Sequence, residues 1–344
     1  MTVNTQGTPW EGVSPGAQGS PLLEVRDLHT WFSTPGGTVK ALDGVDLRVA
    51  RGTTIGIVGE SGCGKTVLSL SVMRLVPRPQ GRIVKGAVLF DGVDLLGLSE
   101  REMRLVRGDR ISMIFQEPMT SLNPVFTIGS QVAEVFLLHR RTMARSYREA
   151  LPLVIDMLAT VGIKDPARRV HDYPHQLSGG MRQRVMIAMA MACRPAVLIA
   201  DEPTTALDVT TQRQILGLMD ELRASSGTSI VFVTHDLGIV AGFCDDVAVM
   251  YAGRVVESAP AGRLFEEPLH PYTKGLLKSV PRIGRSRRGK RLPAIEGSVP
   301  TPSDMPGGCT FHPRCPEVMG VCRQEPPPAY EVGAGCVVRC WRYA

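Results

Sequence analysis

The segment that most constrains the fold is a glycine-rich loop between a strand pattern and a helix pattern. The β-rich run TTIGIVG (53–59) ends in glycine, GESGCGKT (59–66) follows, and TVLSLSVMRLV then has helical spacing. In a G-x-x-x-x-G-K-[ST] loop placed this way, backbone N–H groups and the positive end of the helix face a phosphate. The sequence therefore predicts an α/β fold with a phosphate-binding loop.

The rest of the chain supports a parallel sheet with a helical insertion. Strand and helix patterns alternate, as in parallel α/β sheets, and a Pro-, Gly- and Arg-rich stretch follows about residue 260. The predicted elements are two strands over 22–50 around a turn at 34–37, a mostly helical region over about 120–195, strands at 196–201 and 229–236, and a helix at 210–224.

Composition argues against two classes of protein. The net charge is only +6 and aromatic residues make up 5%, whereas nucleic-acid binders usually interleave many basic and aromatic residues. The apolar run at 185–193 stops at Arg194, well short of the ~20 residues that span a bilayer. The first residues show neither a basic nor an apolar signal region, so we expect a flexible tail and a reducing, cytosolic location.

Acidic residues at the end of the 196–201 strand complement the loop. Lys65 would reach the β- and γ-phosphates, and the Thr66 hydroxyl and Asp201 are suited to Mg²⁺. Glu202 comes next, where a carboxylate can orient and deprotonate an attacking water. His235 follows the next strand; a lone histidine there is more often structural, although a neutral imidazole could donate a hydrogen bond to the γ-phosphate.

Further motifs give the chain a family resemblance. LSGGMRQR (177–184), Gln116 in MIFQEPMTSLNP, TALD (205–208) and VTHD occur in order with GESGCGKT. This set resembles the ATP-binding-cassette (ABC) ATPases over about residues 22–258. The resemblance implies a role for each motif residue. Phe32 would stack on adenine, with Trp31 open as the alternative, and ATP would be bound by Gly59, Glu60, Ser61, Gly62, Cys63, Gly64, Lys65 and Thr66. The implied Mg²⁺ ligands are Thr66, Gln116 and Asp201, the implied catalytic residues are Glu202, His235 and Gln116, and the residues implied to contact the opposite subunit's ATP are Ser178, Gly179, Gly180 and Asp208.

The signature residues imply a partner. In the family that the chain resembles, the backbone amides of the signature helix bind the ATP of the opposite subunit, so one cassette alone cannot form a complete site. The segment LHPYTKGLL (269–277) and the sequences of the motifs LSGGMRQR, GESGCGKT and QEPMTSLNP resemble the peptide and nickel importer branch. That resemblance implies a second, related ATPase, two membrane permease subunits, an extracytoplasmic binding protein, and a peripheral position on the cytoplasmic face of the plasma membrane. Nickel, glutathione or another small solute stays open as cargo, and a soluble cassette ATPase acting on nucleic acid is the less favoured class.

Five of the eight cysteines lie in the last 36 residues. Disulfides are disfavoured in the cytosol, and only Cys336 and Cys340 have the close spacing typical of zinc, so zinc and uncoordinated thiols stay open. The stretch CTFHPRCPEVMGVC resembles the cysteine motif of peptide-importer ATPases, which implies a [4Fe–4S] cluster. The family's last cysteine typically precedes an aromatic residue or histidine, which favours Cys340 over Cys336. The implied ligands are Cys309, Cys315, Cys322 and Cys340.

The predicted organisation has three parts. Residues 1–20 form the tail, and 21–260 form the nucleotide-binding domain, with a RecA-like parallel core, an antiparallel β subdomain and a helical subdomain at about 117–190. Residues 261–344 form a small cysteine-rich C-terminal extension.

Overall fold

The structure is a computed structural model, and it describes residues 20–116, 121–205, 207–280, 294–301, 304–333 and 335–344. Nearly all of the predicted tail lies outside the described residues, as do 117–120 in the MIFQEPMTSLNP stretch and Ala206 in TALD.

The described strands and helices fall where the alternating patterns predict the main elements. The strands are β1 (Leu23–Thr34), β2 (Gly37–Val49), β3 (Thr54–Val58), β4 (Gly81–Phe90), β5 (Val93–Asp94), β6 (Ile111–Ile114), β7 (Val197–Asp201), β8 (Ser229–Val233), β9 (Asp246–Tyr251), β10 (Arg254–Pro260), β11 (Tyr330–Glu331) and β12 (Val337–Val338). The α-helices are α1 (Lys65–Val72), α2 (Glu100–Val106), α3 (Ile128–His139), α4 (Tyr147–Thr160), α5 (Pro166–Arg169), α6 (Gly179–Met191), α7 (Val209–Ser226), α8 (Leu237–Phe243), α9 (Ala261–Glu266) and α10 (Pro271–Ser279).

The chain divides into two compact units. The first, called the loop unit, comprises Leu23–Val49, Thr53–Phe90 and Val233–Ala344. The second, called the signature unit, comprises Met1–Leu22, Ala50–Gly52 and Asp91–Phe232. The predicted domain limits at 260 and at 117–190 stay predictions.

The loop unit contains two sheets. In one, β1 pairs antiparallel with both β2 and β4, and the predicted hairpin turn joins Thr34 to Gly37. In the other, the order is β11, β12, β10, β9, β3, with β3 parallel to β9. All five residues of β3 are buried, as expected for a continuous apolar strand. The last strands of the chain therefore extend the sheet whose strand β3 leads into the phosphate-binding loop.

The signature unit combines buried strands with most of the helices. Strands β6, β7 and β8 lie side by side in that order, and β6 is parallel to β7. The region predicted to be mostly helical contains α3, α4, α5 and α6. Helix α7 begins after Asp208, whose side chain accepts hydrogen bonds from two first-turn amides, and ends at Gly227 in the left-handed conformation.

The residues His270, Pro271 and Tyr272 form the buried start of a helix in the loop unit. His270 caps α10: its Nδ1 accepts a hydrogen bond from the Tyr272 backbone N–H at 3.1 Å. Its own backbone N–H donates to the Glu257 carboxylate at 2.8 Å, and the residue is 1% exposed. The segment 269–277 therefore contains a proline-started helix, and the Pro-, Gly- and Arg-rich composition after about residue 260 did not indicate helices α9 and α10.

Burial of His270 predicts acid sensitivity. Burial, with a smaller contribution from Lys274, lowers the pKa of His270 from 6.5 to about 3. Below pH 6.5 His270 binds a proton in the unfolded chain but stays neutral in the folded chain. Its contribution to the free energy of unfolding is therefore fully present above pH 6.5 and is lost as the pH falls. We expect the free energy of unfolding to drop by about 2 kcal/mol between pH 7.5 and 5 through this residue. Urea titrations of the wild type and His270→Asn, which keeps a capping acceptor, would measure it; parallel pH profiles would contradict it.

Candidate nucleotide site

The phosphate-binding loop is curled tightly against the end of β9 in the loop unit. A Cβ atom on Gly59 would meet the Met250 carbonyl oxygen, so only glycine fits this close approach. The Lys65 ammonium donates to the carbonyl oxygens of Gly59 at 2.8 Å and Glu60 at 3.2 Å, and the residue is 6% exposed. Helix α1 begins at Lys65, so its first amides lie where the loop ends. The loop thus supplies a fixed lysine and a helix N-terminus, as the motif predicts.

Cys63 is a buried support for this loop. Its side chain is 1% exposed, and burial raises the pKa of its thiol. A thiol in this state packs as a small apolar group.

Glu60, the second residue of the loop, is bonded by residues that the sequence did not indicate. Its backbone N–H donates to the Tyr272 hydroxyl at 3.0 Å. Its carboxylate accepts two hydrogen bonds from Arg314, at 2.8 and 3.0 Å. Both partners come from the C-terminal part of the loop unit, and no sequence signal connects them to the loop.

In the signature unit, the predicted acidic pair lies at the end of β7. Asp201 is the last residue of this strand and is 1% exposed, an environment that stabilises a carboxylate only beside cations or donors. Glu202 adopts a φ of 47°, which is rare for a residue other than glycine, and its carboxylate accepts a hydrogen bond from the Thr205 hydroxyl at 2.9 Å. Backbone strain of this kind is typical of functional sites.

Gln116 and His235 both follow strands and are exposed. Gln116 is in the turn after β6, in the signature unit, and His235 is two residues beyond β8, in the loop unit. Asp236, next to His235, caps α8 by accepting a hydrogen bond from Gly238 N–H at 2.8 Å. The imidazole is thereby placed at a fixed strand–helix junction.

The signature motif forms a helix start. Ser178 caps α6 by accepting a hydrogen bond from Met181 N–H at 3.3 Å, and the first turn of α6 carries no acidic residue. A Cβ on Gly180 would lie 2.8 Å from the Thr211 side chain, and Asp208 accepts a hydrogen bond from the Thr211 hydroxyl at 2.6 Å. The structure therefore brings the signature turn and Asp208 together. An uncompensated helix N-terminus of this type attracts anions.

The two aromatic candidates for adenine stacking are neighbours on β1. Trp31 and Phe32 are both half-buried, and successive residues of a strand face opposite sides. The Lys40 ammonium lies 5.2 Å from the centre of the Trp31 ring, and Phe32 pairs with Gly81 of β4. Phe32 and its alternative Trp31 stay predictions.

Four C-terminal thiols of the loop unit influence one another. Burial, with smaller contributions from Cys322, Cys340 and Cys315, raises the pKa of Cys309 to about 11. Burial likewise raises the pKa of Cys315 to about 11. The chain around residue 308 approaches Cys322 closely: the Cys309 N–H donates to the Cys322 carbonyl at 2.8 Å, and a Cβ on Gly308 would collide with that same oxygen.

No described group of three or more His, Cys, Asp or Glu side chains is arranged to hold a metal ion. Among the described helices, none has both the length and the apolar character needed to cross a membrane.

Comparisons with known proteins agree with this geometry. The family model described as ABC transporter matches residues 42–205, and the one described as the C-terminal region of oligopeptide/dipeptide transporters matches residues 256–322. A probable peptide ABC transporter ATP-binding protein of Sinorhizobium fredii is 54% identical over 321 residues, which cover 93% of this chain and 95% of that protein. An oligopeptide transport ATP-binding protein of Bacillus subtilis is 48% identical over 324 residues, covering 94% and 97%.

Solved structures match the cassette part. A dimeric ATP-binding cassette in a post-hydrolysis state with bound ADP and phosphate is 28% identical, with a TM-score of 0.62, and the match covers 70% of this chain and 98% of that one. The fold and the ordered motifs define an ATPase of the cassette class, as predicted. The chain belongs to the ABC transporter family, among the ATP-binding proteins that carry the oligopeptide/dipeptide transporter C-terminal region.

Proposed function

We propose that the chain is the ATP-hydrolysing subunit of an importer for oligopeptides or dipeptides. The observation that carries this proposal is the match of residues 256–322 to the oligopeptide/dipeptide transporter C-terminal region, directly behind a complete set of cassette motifs. The names of the curated relatives, which are peptide transport or peptide import ATP-binding proteins, agree with it.

Each site residue has a proposed step in ATP hydrolysis. The loop from Gly59 to Thr66 binds the phosphates, with Lys65 moving from the loop carbonyls to phosphate oxygens. Thr66, Gln116 and Asp201 would hold Mg²⁺, which neutralises phosphate charge when bound. Glu202 accepts the proton of the attacking water, and its hydrogen bond from Thr205 fixes the carboxylate. His235 donates a hydrogen bond to the γ-phosphate.

The signature turn acts on a second ATP. Ser178, Gly179 and Gly180 would bind the γ-phosphate held by another ATPase subunit, because the N-terminus of α6 is uncompensated by acidic residues. The proposed assembly therefore contains a second ATPase, two permease subunits and an extracytoplasmic binding protein, with this chain peripheral on the cytoplasmic face of the membrane. ATP closes the pair and hydrolysis releases it.

Transport by the reconstituted assembly would test the proposal. Vesicles containing both ATPases and the permeases, with the binding protein on the opposite side, should accumulate labelled peptide only when ATP is supplied. Uptake of nickel or glutathione with no uptake of peptide would replace the proposed cargo. Hydrolysis that none of these solutes stimulates would contradict an importer.

We propose further that Cys309, Cys315, Cys322 and Cys340 hold a [4Fe–4S] cluster, with zinc as the alternative. Thiolates are the ligands that such a cluster takes, and three of these thiols, Cys322, Cys340 and Cys315, raise the pKa of the fourth, Cys309. A bound cluster would supply cross-links to a segment with little apolar surface of its own. Because burial raises the pKa of Cys309 and of Cys315 to about 11, both thiols are protonated at neutral pH and loading of the cluster releases their protons.

Substitution of single cysteines separates the fourth ligand from its neighbour. We expect Cys340→Ser to remove nearly all iron and acid-labile sulfide from anaerobically purified protein, because three thiolates hold a cluster poorly. Cys336→Ser, a matched change four residues away, should leave both near four per chain, the content of one cluster. Zinc without sulfide would replace the cluster, and iron lost only in Cys336→Ser would reverse the assignment.

A further inference from the structure

An ion pair joins the phosphate-binding loop to the cysteine-rich segment, the part of the chain that contains Cys309, Cys315 and Cys322. Both terminal nitrogens of Arg314 donate to the Glu60 carboxylate, at 2.8 and 3.0 Å, in the parallel two-bond arrangement that gives arginine–carboxylate pairs their strength. The two residues are 254 positions apart in the chain, and both belong to the loop unit.

Arg314 is held in place on all sides. Its side chain is 5% exposed, its Nε donates to the Glu296 carbonyl at 3.1 Å, and its guanidinium carbon lies 5.8 Å from the centre of the Tyr251 ring. Hydrogen bonding to Glu60 raises the pKa of the guanidinium, so its charge is permanent. The Glu60 side chain is 31% exposed, and a well-aligned pair with one buried partner is more strongly coupled than a fully exposed salt bridge.

A second contact fixes the loop backbone. The Glu60 N–H donates to the Tyr272 hydroxyl at 3.0 Å. The ring of Phe311, which is 2% exposed, lies 5.4 Å from the ring of Tyr272 and 5.2 Å from that of Tyr251. Glu60 is therefore held at its backbone and at its side chain by one packed group of C-terminal residues.

The negative charge of Glu60 makes its pairing with Arg314 important for nucleotide binding. A carboxylate at the second position of a loop that receives a polyphosphate repels the ligand unless a cation neutralises it. Arg314 supplies that cation while directing its own hydrogen bonds to the carboxylate. Removal of Arg314 would leave the negative charge of Glu60 unpaired in the loop. It would also free the Glu60 side chain, which the two hydrogen bonds from Arg314 hold in place.

The same arginine connects the loop to the thiols. Arg314 precedes Cys315 directly and ends a short 3₁₀ turn, His312–Arg314, that follows Cys309. The Cys315 N–H donates to the His312 carbonyl at 3.3 Å. Order in this turn is thus a condition for placing the guanidinium on Glu60.

We propose that Arg314 and Tyr272 are positioning residues for the phosphate-binding loop, so that the C-terminal cysteine-rich segment sets the affinity of the cassette for ATP. This inference rests on the proposed binding of ATP by residues 59–66. Neither residue touches the nucleotide in this scheme; both act through Glu60.

A double-mutant cycle with the full chain tests the proposal. ATP affinity is measured by calorimetry for the wild type, Arg314→Ala, Glu60→Gln and the double variant. In the wild-type background we expect Arg314→Ala to weaken ATP binding about tenfold, within the range of coupled charge pairs. In the Glu60→Gln background, where the negative charge is already gone, the same change should weaken ATP binding less than about threefold. Arg314→Lys, which keeps the charge and loses the paired geometry, should lie between. Arg323→Ala, an exposed arginine in the same segment, is the matched control and should bind as the wild type does.

The outcomes separate the inference from the function on which it rests. In the assembled transporter, Arg314→Ala should raise the KM for ATP about tenfold and leave kcat within about twofold, a split that general destabilisation does not produce. Equal losses in both backgrounds, or no loss with Arg314→Ala, would overturn the positioning role while ATP binding stands. Failure of the wild type to bind ATP would overturn the proposed function instead.

Discussion

Replacement of Glu202 by glutamine is expected to slow ATP hydrolysis at least 100-fold, the lower end of what a general base contributes (10²–10⁴). Glutamine has nearly the same shape and still accepts the hydrogen bond that the Thr205 hydroxyl gives to residue 202. It cannot take a proton from water. Because the loop that binds the phosphates is unchanged, ATP should bind and remain uncleaved, and the closed pair of ATPases should accumulate.

The measurement is phosphate release by the purified complex together with retention of labelled ATP. Glu221→Gln on α7, an exposed carboxylate of the same signature unit, is the matched control and should hydrolyse ATP at the wild-type rate. Unchanged turnover in Glu202→Gln would refute the assigned role. Loss of ATP binding together with turnover would point to damage at the strained φ of residue 202 rather than to a missing base.

The local parts of the fold were predictable because their signals are local. The run 53–59 became the buried strand β3, the loop is followed by α1, and AVLIAD became β7, which ends at Asp201. Capping residues also lie within a few positions of the helices they start, as with Ser178 and α6. A sequence shows these features because a strand, a turn and a helix start each involve neighbouring residues.

Contacts across the chain left no such signal. Arg314 bonds Glu60 over 254 positions, and no periodicity or motif pairs an arginine of the C-terminal segment with the phosphate-binding loop. The positive φ of Glu202 is equally hidden, since tertiary packing imposes it against the preference of the residue. Spacing pointed to Cys336 and Cys340 as a zinc pair, but it did not show that Cys315, Cys322 and Cys340 all raise the pKa of Cys309.

Gly59 is the loop position with the least tolerance for a side chain. The added Cβ of Gly59→Ala would collide with the Met250 carbonyl oxygen and lie 2.8 Å from the Cys63 sulfur. A backbone carbonyl in a sheet cannot move aside as a flexible side chain does, so either the end of β9 or the loop must shift. We expect the variant to lose about 1–3 kcal/mol of stability, the usual result of overpacking.

The shift also moves the loop carbonyl that Lys65 contacts, at 2.8 Å, and with it the amides that face the phosphates. ATP affinity should therefore fall at least about tenfold, equivalent to about 1.4 kcal/mol. Gly242→Ala, on the exposed side of α8 in the same unit, has no atom within 4 Å of its added Cβ and serves as the control. It should raise stability by about 0.5–1 kcal/mol and leave ATP binding unchanged. Calorimetric ATP titrations and urea unfolding of the two variants measure both effects. Wild-type ATP affinity in Gly59→Ala would contradict the prediction, because it would mean that the loop accommodates the methyl group and still binds the phosphates.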